Sequence, residues 1–344
     1  MVELIKKLSD MRAISGFEYR ISENIKELFA EYADEVHIDK LGSVIAVKKC
    51  GRENAPRVMI EAHMDEIGLM VKDIDERGFI TFVNIGGVDP RILPSSEVVI
   101  HGKKDVVGII GAKPPHLQSA GESAKSAKIT DMAIDVGMDC DEVKKIISIG
   151  DSITLPQSWG KLDGGQFSGK SLDDRASVAV LIDVMRRISK IKLDVDVYAV
   201  AAVQEEVGCR GAQTAAYSID PTAAIAIDVC HGITPDNSYN AFEAGSGVVM
   251  SIGPNIHPAV QKRLADMADE YNIKTSIDVD GGDTGTDAWT IQVARCGIPT
   301  GLLSIPLKYM HTSVETLDVK DVEAASSLLT FFIQDFCEEE WLCF

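Results

Sequence analysis

The chain alternates strand-like and helix-like segments at both ends, and a long segment without helical periodicity interrupts this alternation. Before the interruption, a helical pattern is followed by two short β-rich runs, residues 42–48 and 57–63. After it, patterns of both kinds recur, with helices predicted at 176–188, 258–271 and 319–336 and strands at 195–203, 223–229 and 300–305. Such alternation is typical of an α/β sheet. We therefore predict an α/β fold, a mixed central sheet flanked by helices on both faces.

The interrupting segment reads as a small β-rich unit. Its β-type runs, residues 78–84, 97–101 and 105–111, are separated by glycine and proline turns, which is the pattern of a small all-β fold. The simplest organisation is one α/β domain interrupted by an insertion. We predict a first part of the α/β domain at 1–67, an inserted β-rich domain at 68–165 and a second part of the α/β domain at 166–344.

Charge and cysteine content limit the partners and the compartment. The 344 residues carry 34 Lys and Arg against 53 Asp and Glu, a net charge of -19, and such an acidic surface repels nucleic acid and anionic membranes. No apolar run approaches the ~18 residues of a membrane span, and charges near the start argue against a signal peptide. Seven cysteines without paired spacing are typical of a reduced, cytoplasmic protein. We predict no nucleic-acid partner, no membrane partner and a cytoplasmic location.

Histidines and carboxylates follow several predicted strands. In open α/β sheets, ligands bind beyond the carboxyl ends of the strands. A lone histidine there is more often structural, and a lone carboxylate is usually solvated or favoured by a helix dipole. Five such positions on one side of a sheet are harder to dismiss, and these residue types suit a pair of hydrolytic metal ions. The five positions are His63 with Asp65, Asp173 with Asp174, Glu205 with Glu206, Asp228, and His311.

A competing motif is the run GGQFSGKS at residues 164–171, which matches the phosphate-loop pattern of nucleotide-binding proteins. A helix is predicted after it, as that motif requires, but the residues before it are polar rather than a buried strand. Nucleotide binding through Gly164 to Ser171 is therefore the alternative function. If the match is a coincidence, Lys170→Ala should have little effect on the activity of the protein. A glycine-rich loop, Gly281 to Asp287, could line a substrate pocket or be a plain turn.

Five motifs in order resemble the dinuclear metallo-aminopeptidases of the glutamyl-aminopeptidase and tetrahedral-aminopeptidase group, some of which were long labelled cellulases. The resemblance covers essentially the whole chain, including the insertion, and implies a zinc-exopeptidase-like fold. The motifs are EAHMDEIG (61–68), LDDR (172–175), QEEVG (204–208), ID (227–228) and MHTSVE (310–315).

The resemblance implies a set of metal ligands for two divalent ions per subunit, with Zn²⁺ or Co²⁺ expected. His63 and Asp228 would hold one ion, and Glu206 and His311 would hold the other. Asp173 would bridge both ions. It is preferred to Asp174 because the second position resembles one that tolerates asparagine, which could not act as an anionic bridge.

The resemblance also implies the catalytic groups. Glu205 would act as the general base, and Asp65 would orient His63. A cis peptide bond is expected between Asp173 and Asp174.

The implied activity is an aminopeptidase that removes N-terminal residues from short peptides through a water bridging the two ions. The resemblance further implies a homo-oligomer, a dodecamer built from dimers, with the insertion as the oligomerisation domain. A catalytically silent scaffold of the same fold is a further alternative.

Overall fold

The computed structural model describes residues 1–113, 115–117, 128–156 and 159–336. Its strands, in chain order, are β1 (Glu35–Ile38), β2 (Val44–Lys48), β3 (Arg57–His63), β4 (Gly68–Ile74), β5 (Ile80–Ile85), β6 (Glu97–His101), β7 (Asp105–Ile110), β8 (Ile134–Asp135), β9 (Ser152–Thr154), β10 (Trp159–Lys161), β11 (Gln166–Gly169), β12 (Asp196–Ala202), β13 (Ala223–His231), β14 (Val248–Ile252), β15 (Thr275–Val279), β16 (Thr300–Leu307) and β17 (Glu315–Asp318).

The α-helices of the same residues are α1 (Val2–Ser9), α2 (Ser22–Ala30), α3 (Cys140–Ile146), α4 (Leu172–Ile188), α5 (Arg210–Ile219), α6 (Pro258–Glu270), α7 (Ala288–Gln292) and α8 (Val319–Gln334). Within the described ranges, no helix combines the length and the apolar character that crossing a membrane requires.

A mixed sheet of eight strands, in the order β1-β2-β12-β3-β13-β16-β14-β15, forms the centre of the fold. Its four middle strands, β12, β3, β13 and β16, run parallel to one another. These strands are apolar and buried along almost their whole length, as expected where helices cover both faces of a parallel sheet. Their carboxyl ends therefore meet at one edge, which is where the predicted site residues converge.

Two separate apolar cores lie on the two faces of this sheet. Helices α1, α2, α4, α6 and α8 contribute to one core, whereas α5 and α7 contribute to the other. Adjacent residues of β2 divide between them, because successive side chains of a strand point to opposite faces: Val44 belongs to the first core and Ile45 to the second. The predicted mixed sheet with helices on both faces is confirmed.

Six antiparallel strands from the predicted insertion close into a barrel, in the order β4-β5-β8-β7-β6-β9. The barrel has its own apolar core, which includes Leu69, Phe82 and Ile134. Its strands run from Gly68 to Thr154, so the β-rich character predicted for this segment is observed. The boundaries at 68 and 165 stay a prediction, and residues 114, 118–127 and 157–158 of that segment lie outside the described residues.

The run that matches a phosphate loop forms part of a small sheet instead. Gly164 and Gly165, both with positive φ, lie between β10 and β11, and β11 pairs antiparallel with β10 and with β17. A phosphate loop instead connects a buried strand directly to a helix and wraps its backbone around the phosphates. The nucleotide-binding alternative has no support in this geometry.

Lys170, the lysine of that motif, is buried in a cluster of charges. Its ammonium donates to Glu66 Oε2 at 2.6 Å, to the Ser171 hydroxyl at 3.0 Å and to the Met11 carbonyl at 3.0 Å. Arg175, which is completely buried, donates to the other oxygen of Glu66 at 3.3 Å. These contacts lower the pKa of Glu66, although burial alone would raise it.

This burial changes the expectation for substitutions of Lys170. Lys170→Met should lower the free energy of unfolding by roughly 3–5 kcal/mol, because breaking a buried ion pair by removing one partner is strongly destabilising and the buried Glu66 Oε2 would lose its ammonium donor. Urea denaturation measures the change. Lys192→Met, at an exposed lysine, is the matched control and should stay near the parent. A loss for Lys170→Met no larger than that of the control would contradict the inferred role of the cluster.

Candidate active site

The five predicted positions converge on one cavity of about 600 Å³ at the carboxyl edge of the parallel strands. The strand connections explain the convergence, since each position lies at or near the end of a middle strand or at the start of α4. The cavity is lined by His63, the last residue of β3; Glu205 and Glu206, which follow β12; Asp228 in β13; Asp173 in the first turn of α4; and His311, beyond β16. Strand β13 continues to His231, two residues beyond the predicted end at 229, and Asp228 lies inside it, as the predicted range implies.

Asp173 lies between two imidazoles. Its Oδ1 is 3.2 Å from His63 Nε2, and its Oδ2 is 3.3 Å from His311 Nε2. Glu206 Oε1 lies 3.4 Å from the same nitrogen of His311. Burial alone would raise the pKa of Asp173, but hydrogen bonds with the two histidines outweigh burial and lower it. One carboxylate thus contacts both histidines of the site.

Two clusters of side chains bring possible metal-ligand atoms close together. Within each cluster, these atoms lie within 4.8 Å of one another. Imidazoles with carboxylates are the donors that zinc and cobalt accept, so the residues present fit such ions. One cluster contains His63, Asp174 and Asp228, and the other contains Asp173, Glu206 and His311.

The turn that presents Asp173 is held by Glu315. The peptide bond between Asp173 and Asp174 is cis, which confirms the expectation from the resemblance. Glu315 Oε2 accepts from the backbone N–H groups of Leu172 at 2.7 Å and Asp173 at 3.1 Å, while its Oε1 accepts from the His311 N–H at 2.9 Å. One buried carboxylate therefore fixes two separate parts of the site, a role that sequence reasoning did not assign to Glu315.

Asp65 lies beneath the turn that carries the two glutamates. It is completely buried, and its oxygens accept from the N–H groups of Glu205 at 3.1 Å and Glu206 at 3.2 Å. Its Oδ1 is also 3.6 Å from His63 Nδ1. Burial would raise the pKa of Asp65, but contact with His63 outweighs it and lowers the pKa. Asp65 thus contacts three predicted site residues, His63, Glu205 and Glu206.

The two carboxylate oxygens of Glu205 have different neighbours. Oε2 lies 3.9 Å from His63 Nε2, and Oε1 accepts from the Cys209 thiol at 3.4 Å. Burial raises the pKa of Glu205 to about 8. Cys209 and Asp287 form a third cluster of possible ligand atoms with Glu205.

Sequence reasoning missed Cys209 and Asp287 because both residues immediately precede helices rather than follow strands. A search for acidic residues and thiols just before predicted helices could have found them. The glycine-rich loop considered as a pocket wall does contribute to the cavity, through Thr284, Gly285 and Thr286.

The barrel reaches the site through the loop after β5. His311 Nδ1 lies 3.2 Å from the carbonyl oxygen of Gly87. A Cβ at Gly87 would lie 2.6 Å from the same nitrogen, closer than real Cβ contacts allow. Only glycine lets the barrel backbone approach the imidazole this closely.

Gly87→Ala should therefore displace His311 and weaken Zn²⁺ binding by roughly 10- to 100-fold, the range typical when a group supporting a metal ligand is altered. Calorimetric titration of chelated protein with Zn²⁺ measures the affinity. Gly160→Ala is the matched control, because a Cβ there meets open space. Equal Zn²⁺ affinity in the two variants would show that the close approach to His311 is unimportant.

Known proteins are similar to this chain in sequence and in fold. The sequence profile of the M42 glutamyl aminopeptidase family matches residues 42–328. The lysyl aminopeptidase of Pyrococcus furiosus is 36% identical over 339 residues, which cover 97% of this chain and 96% of the relative. An aminopeptidase structure from the archaeon Desulfurococcus kamchatkensis has a TM-score of 0.92 and 37% identity, covering 99% of this chain and 96% of that one.

A second solved structure adds information on assembly. The TET1 peptidase of Pyrococcus horikoshii, described as able to assemble into a tetrahedron or a large octahedral shell, has a TM-score of 0.86 and 30% identity, covering 97% of this chain and 99% of that one. The agreement extends over nearly the full length of each protein. The chain therefore belongs to the M42 glutamyl aminopeptidase family and is an aminopeptidase, a hydrolase that acts on the N-termini of peptides.

Proposed function

We propose that this aminopeptidase depends on two divalent metal ions and acts on short peptides in the cytoplasm. The observation that carries the proposal is the position of Asp173, which presents one oxygen to His63 and the other to His311. A carboxylate in this position can serve two ions at once. The described cysteines, none of which is in a disulfide, support a reducing compartment.

In this proposal, His63 and Asp228 would hold one ion, Glu206 and His311 would hold the other, and Asp173 would serve both. The distances of Asp173 to both histidines favour it over Asp174, whose oxygens lie with only the His63 and Asp228 cluster. Zn²⁺ or Co²⁺ suits these donors. When bound, the ions supply Lewis acidity to a water molecule and to the scissile carbonyl.

The remaining chemistry belongs to side chains of this chain. Glu205 takes the proton from the attacking water and returns it to the leaving amine. Its position supports this role, because Glu205 lines the cavity with Oε2 3.9 Å from His63 Nε2, while the Cys209 thiol donates to Oε1. Asp65 holds the ring of His63 and the backbone of the glutamate turn in place.

Glu205→Gln should abolish turnover while leaving the metal content near that of the parent, because the change removes the base but no proposed ligand. Hydrolysis of aminoacyl reporter substrates and elemental analysis measure the two quantities. Residual activity above about a tenth of the parent would contradict the assignment, since a general base contributes at least ~10²-fold.

Glu206→Gln is the matched control, and it should lose metal as well as activity. Chelation of the parent protein should remove activity, and added Zn²⁺ or Co²⁺ should restore it. Glu205→Gln should take up the same ions without regaining activity. A chelated parent that retained full activity would contradict the metal dependence itself.

We further propose a homo-oligomer, a dodecamer built from dimers, with the barrel as the oligomerisation domain. The barrel supplies none of the proposed ligands, and among its described residues Gly87 alone lines the cavity. It also exposes apolar side chains on β7, with Val107 56% and Ile109 46% accessible, and symmetric association is a common way to cover such surfaces. The assemblies described for the TET1 peptidase give this proposal further support.

Light scattering of metal-replete protein should give a mass about twelve times that of the 37.2 kDa chain, as a closed assembly of dimers requires. The reason is that an isolated subunit leaves the apolar surface of β7 in water. A particle with the mass of one chain would contradict self-association, and a stable dimer would limit the barrel to a role in pairing.

A further inference from the structure

A third group of possible metal-ligand atoms lies beside the proposed metal centre, and it includes a sulfur atom. Glu205, Cys209 and Asp287 each offer one atom, and these three atoms lie within 4.8 Å of one another. We call these three residues the thiol cluster. It shares no residue with the two clusters that contain the proposed metal ligands, but it contains the proposed general base.

The packing of two helices builds the thiol cluster. Cys209 is the residue before α5, and Asp287 is the residue before α7. The Thr290 hydroxyl lies 3.2 Å from the carbonyl oxygen of Cys209 and 3.1 Å from that of Asp287, so it ties the two helix starts together. Glu205 reaches the same place from the turn after β12, where its Oε1 accepts from the Cys209 thiol at 3.4 Å. The protein itself therefore holds the three side chains close together.

The carboxylate of Asp287 points to a ligand that the described residues do not supply. Asp287 is only 2% exposed, and neither of its oxygens has a hydrogen-bond partner in the described structure. The Cys209 thiol beside it donates to Glu205 instead. Buried charges in proteins are paired with an opposite charge or coordinate a metal ion. An ion at the thiol cluster would satisfy this carboxylate.

A second buried carboxyl group adds to the negative charge at this place. Glu61 interacts with Asp287 and is completely buried, and both of its oxygens also lack a hydrogen-bond partner among the described residues. A cation at the thiol cluster would interact favourably with both carboxylates, because charges attract more strongly in a protein interior than in water. Glu61 thus contributes charge to the site without being one of its three ligands.

The donor atoms of the thiol cluster determine which cations it suits. A thiolate with carboxylates fits Zn²⁺, whereas Mg²⁺ and Ca²⁺ prefer sites made of oxygen atoms alone. Three protein ligands leave the fourth tetrahedral position for a water molecule. The Cys209 thiol releases its proton to solvent when the ion binds. Since Glu205 lines the cavity, an ion in the cavity has access to the cluster.

From these observations we propose that the thiol cluster is a third cation site, which binds Zn²⁺ through Cys209, Asp287 and Glu205 and thereby inhibits the enzyme. A zinc ion there occupies the carboxylate that takes the proton from water in the proposed mechanism, so filling the site stops turnover. The existence of the site does not depend on the proposed function. Its inhibitory effect rests on the proposed role of Glu205.

Cadmium absorption tests the site directly, because a cadmium–thiolate bond gives an ultraviolet charge-transfer band that imidazole and carboxylate ligands do not give. The full chain, loaded with two equivalents of Zn²⁺, should develop this band when Cd²⁺ is added. Cys209→Ser should lose the band. Asp287→Asn keeps the thiol but should need at least about tenfold more Cd²⁺ for half of the full signal, the lower end of the loss seen even when a group that only supports a ligand is changed.

Cys296→Ala is the matched control, because it removes an exposed free cysteine outside the thiol cluster, and it should keep the band of the parent. A band of equal strength in Cys209→Ser and Cys296→Ala would overturn the inference. A parent without any band would overturn it as well, and would indicate that Asp287 and Glu61 share a proton instead of binding a metal ion.

Turnover tests the inhibitory effect separately. Zn²⁺ added beyond two equivalents should lower kcat of the parent and of Cys296→Ala at least about tenfold at saturation, since a general base contributes ~10²–10⁴-fold. Cys209→Ser should need at least about tenfold more Zn²⁺ for half inhibition, by the same reasoning as for Asp287→Asn. Equal inhibition of Cys209→Ser and the parent would overturn the inhibitory role.

The two measurements separate this inference from the proposed function. If no substrate is cleaved, the proposed function fails, and the cadmium band still decides whether the thiol cluster binds a metal ion. If substrates are cleaved but the band is missing, only the third cation site is overturned.

Discussion

The buried charges of Glu66, Lys170 and Arg175 form the interaction on which the rest of the structure depends. Charges remain in a protein interior only when they are paired and hydrogen-bonded, and here Glu66 meets both cations. Arg175 also donates to backbone carbonyl oxygens of Met64 and Ala13. The cluster therefore joins the chain as it leaves β3, the segment after α1 and the start of α4, and it fixes the two ends between which the barrel is inserted.

This junction places the two halves of the site relative to each other. His63 lies just before Glu66 in the chain, and Asp173 lies just after Lys170, so the shared cluster sets the separation of their side chains. Glu315 then ties the turn at Asp173 to the backbone of His311. The site combines residues that are far apart in sequence, and a small number of buried carboxylates determine its geometry.

Sequence patterns reveal the middle of the fold better than its edges. Strands β3, β13 and β16 are apolar runs buried on both faces, so their composition is distinctive, and the residues after them point to the site. Strands β14 and β15 were missed: β15 lies at the sheet edge and mixes polar with apolar residues. Lys170 shows a different limit, because its motif letters fit a phosphate loop and only tertiary burial reveals an ion pair. The assignment of residues to the two metal ions rests on the family resemblance, since spacing in the sequence alone does not distinguish Asp173 from Asp174.

The position of β16 has a consequence for how the chain acquires its fold during synthesis. Of the eight strands in the large sheet, β16 is the last in chain order, yet it lies between β13 and β14. Until it emerges from the ribosome, β13 keeps one unpaired hydrogen-bonding edge, and the β14–β15 pair has no strand linking it to the rest of the sheet. Open apolar edges of this kind promote aggregation. In the interval between the completion of β13 and the arrival of β16, the nascent chain therefore exposes an apolar strand edge that is covered in the folded protein.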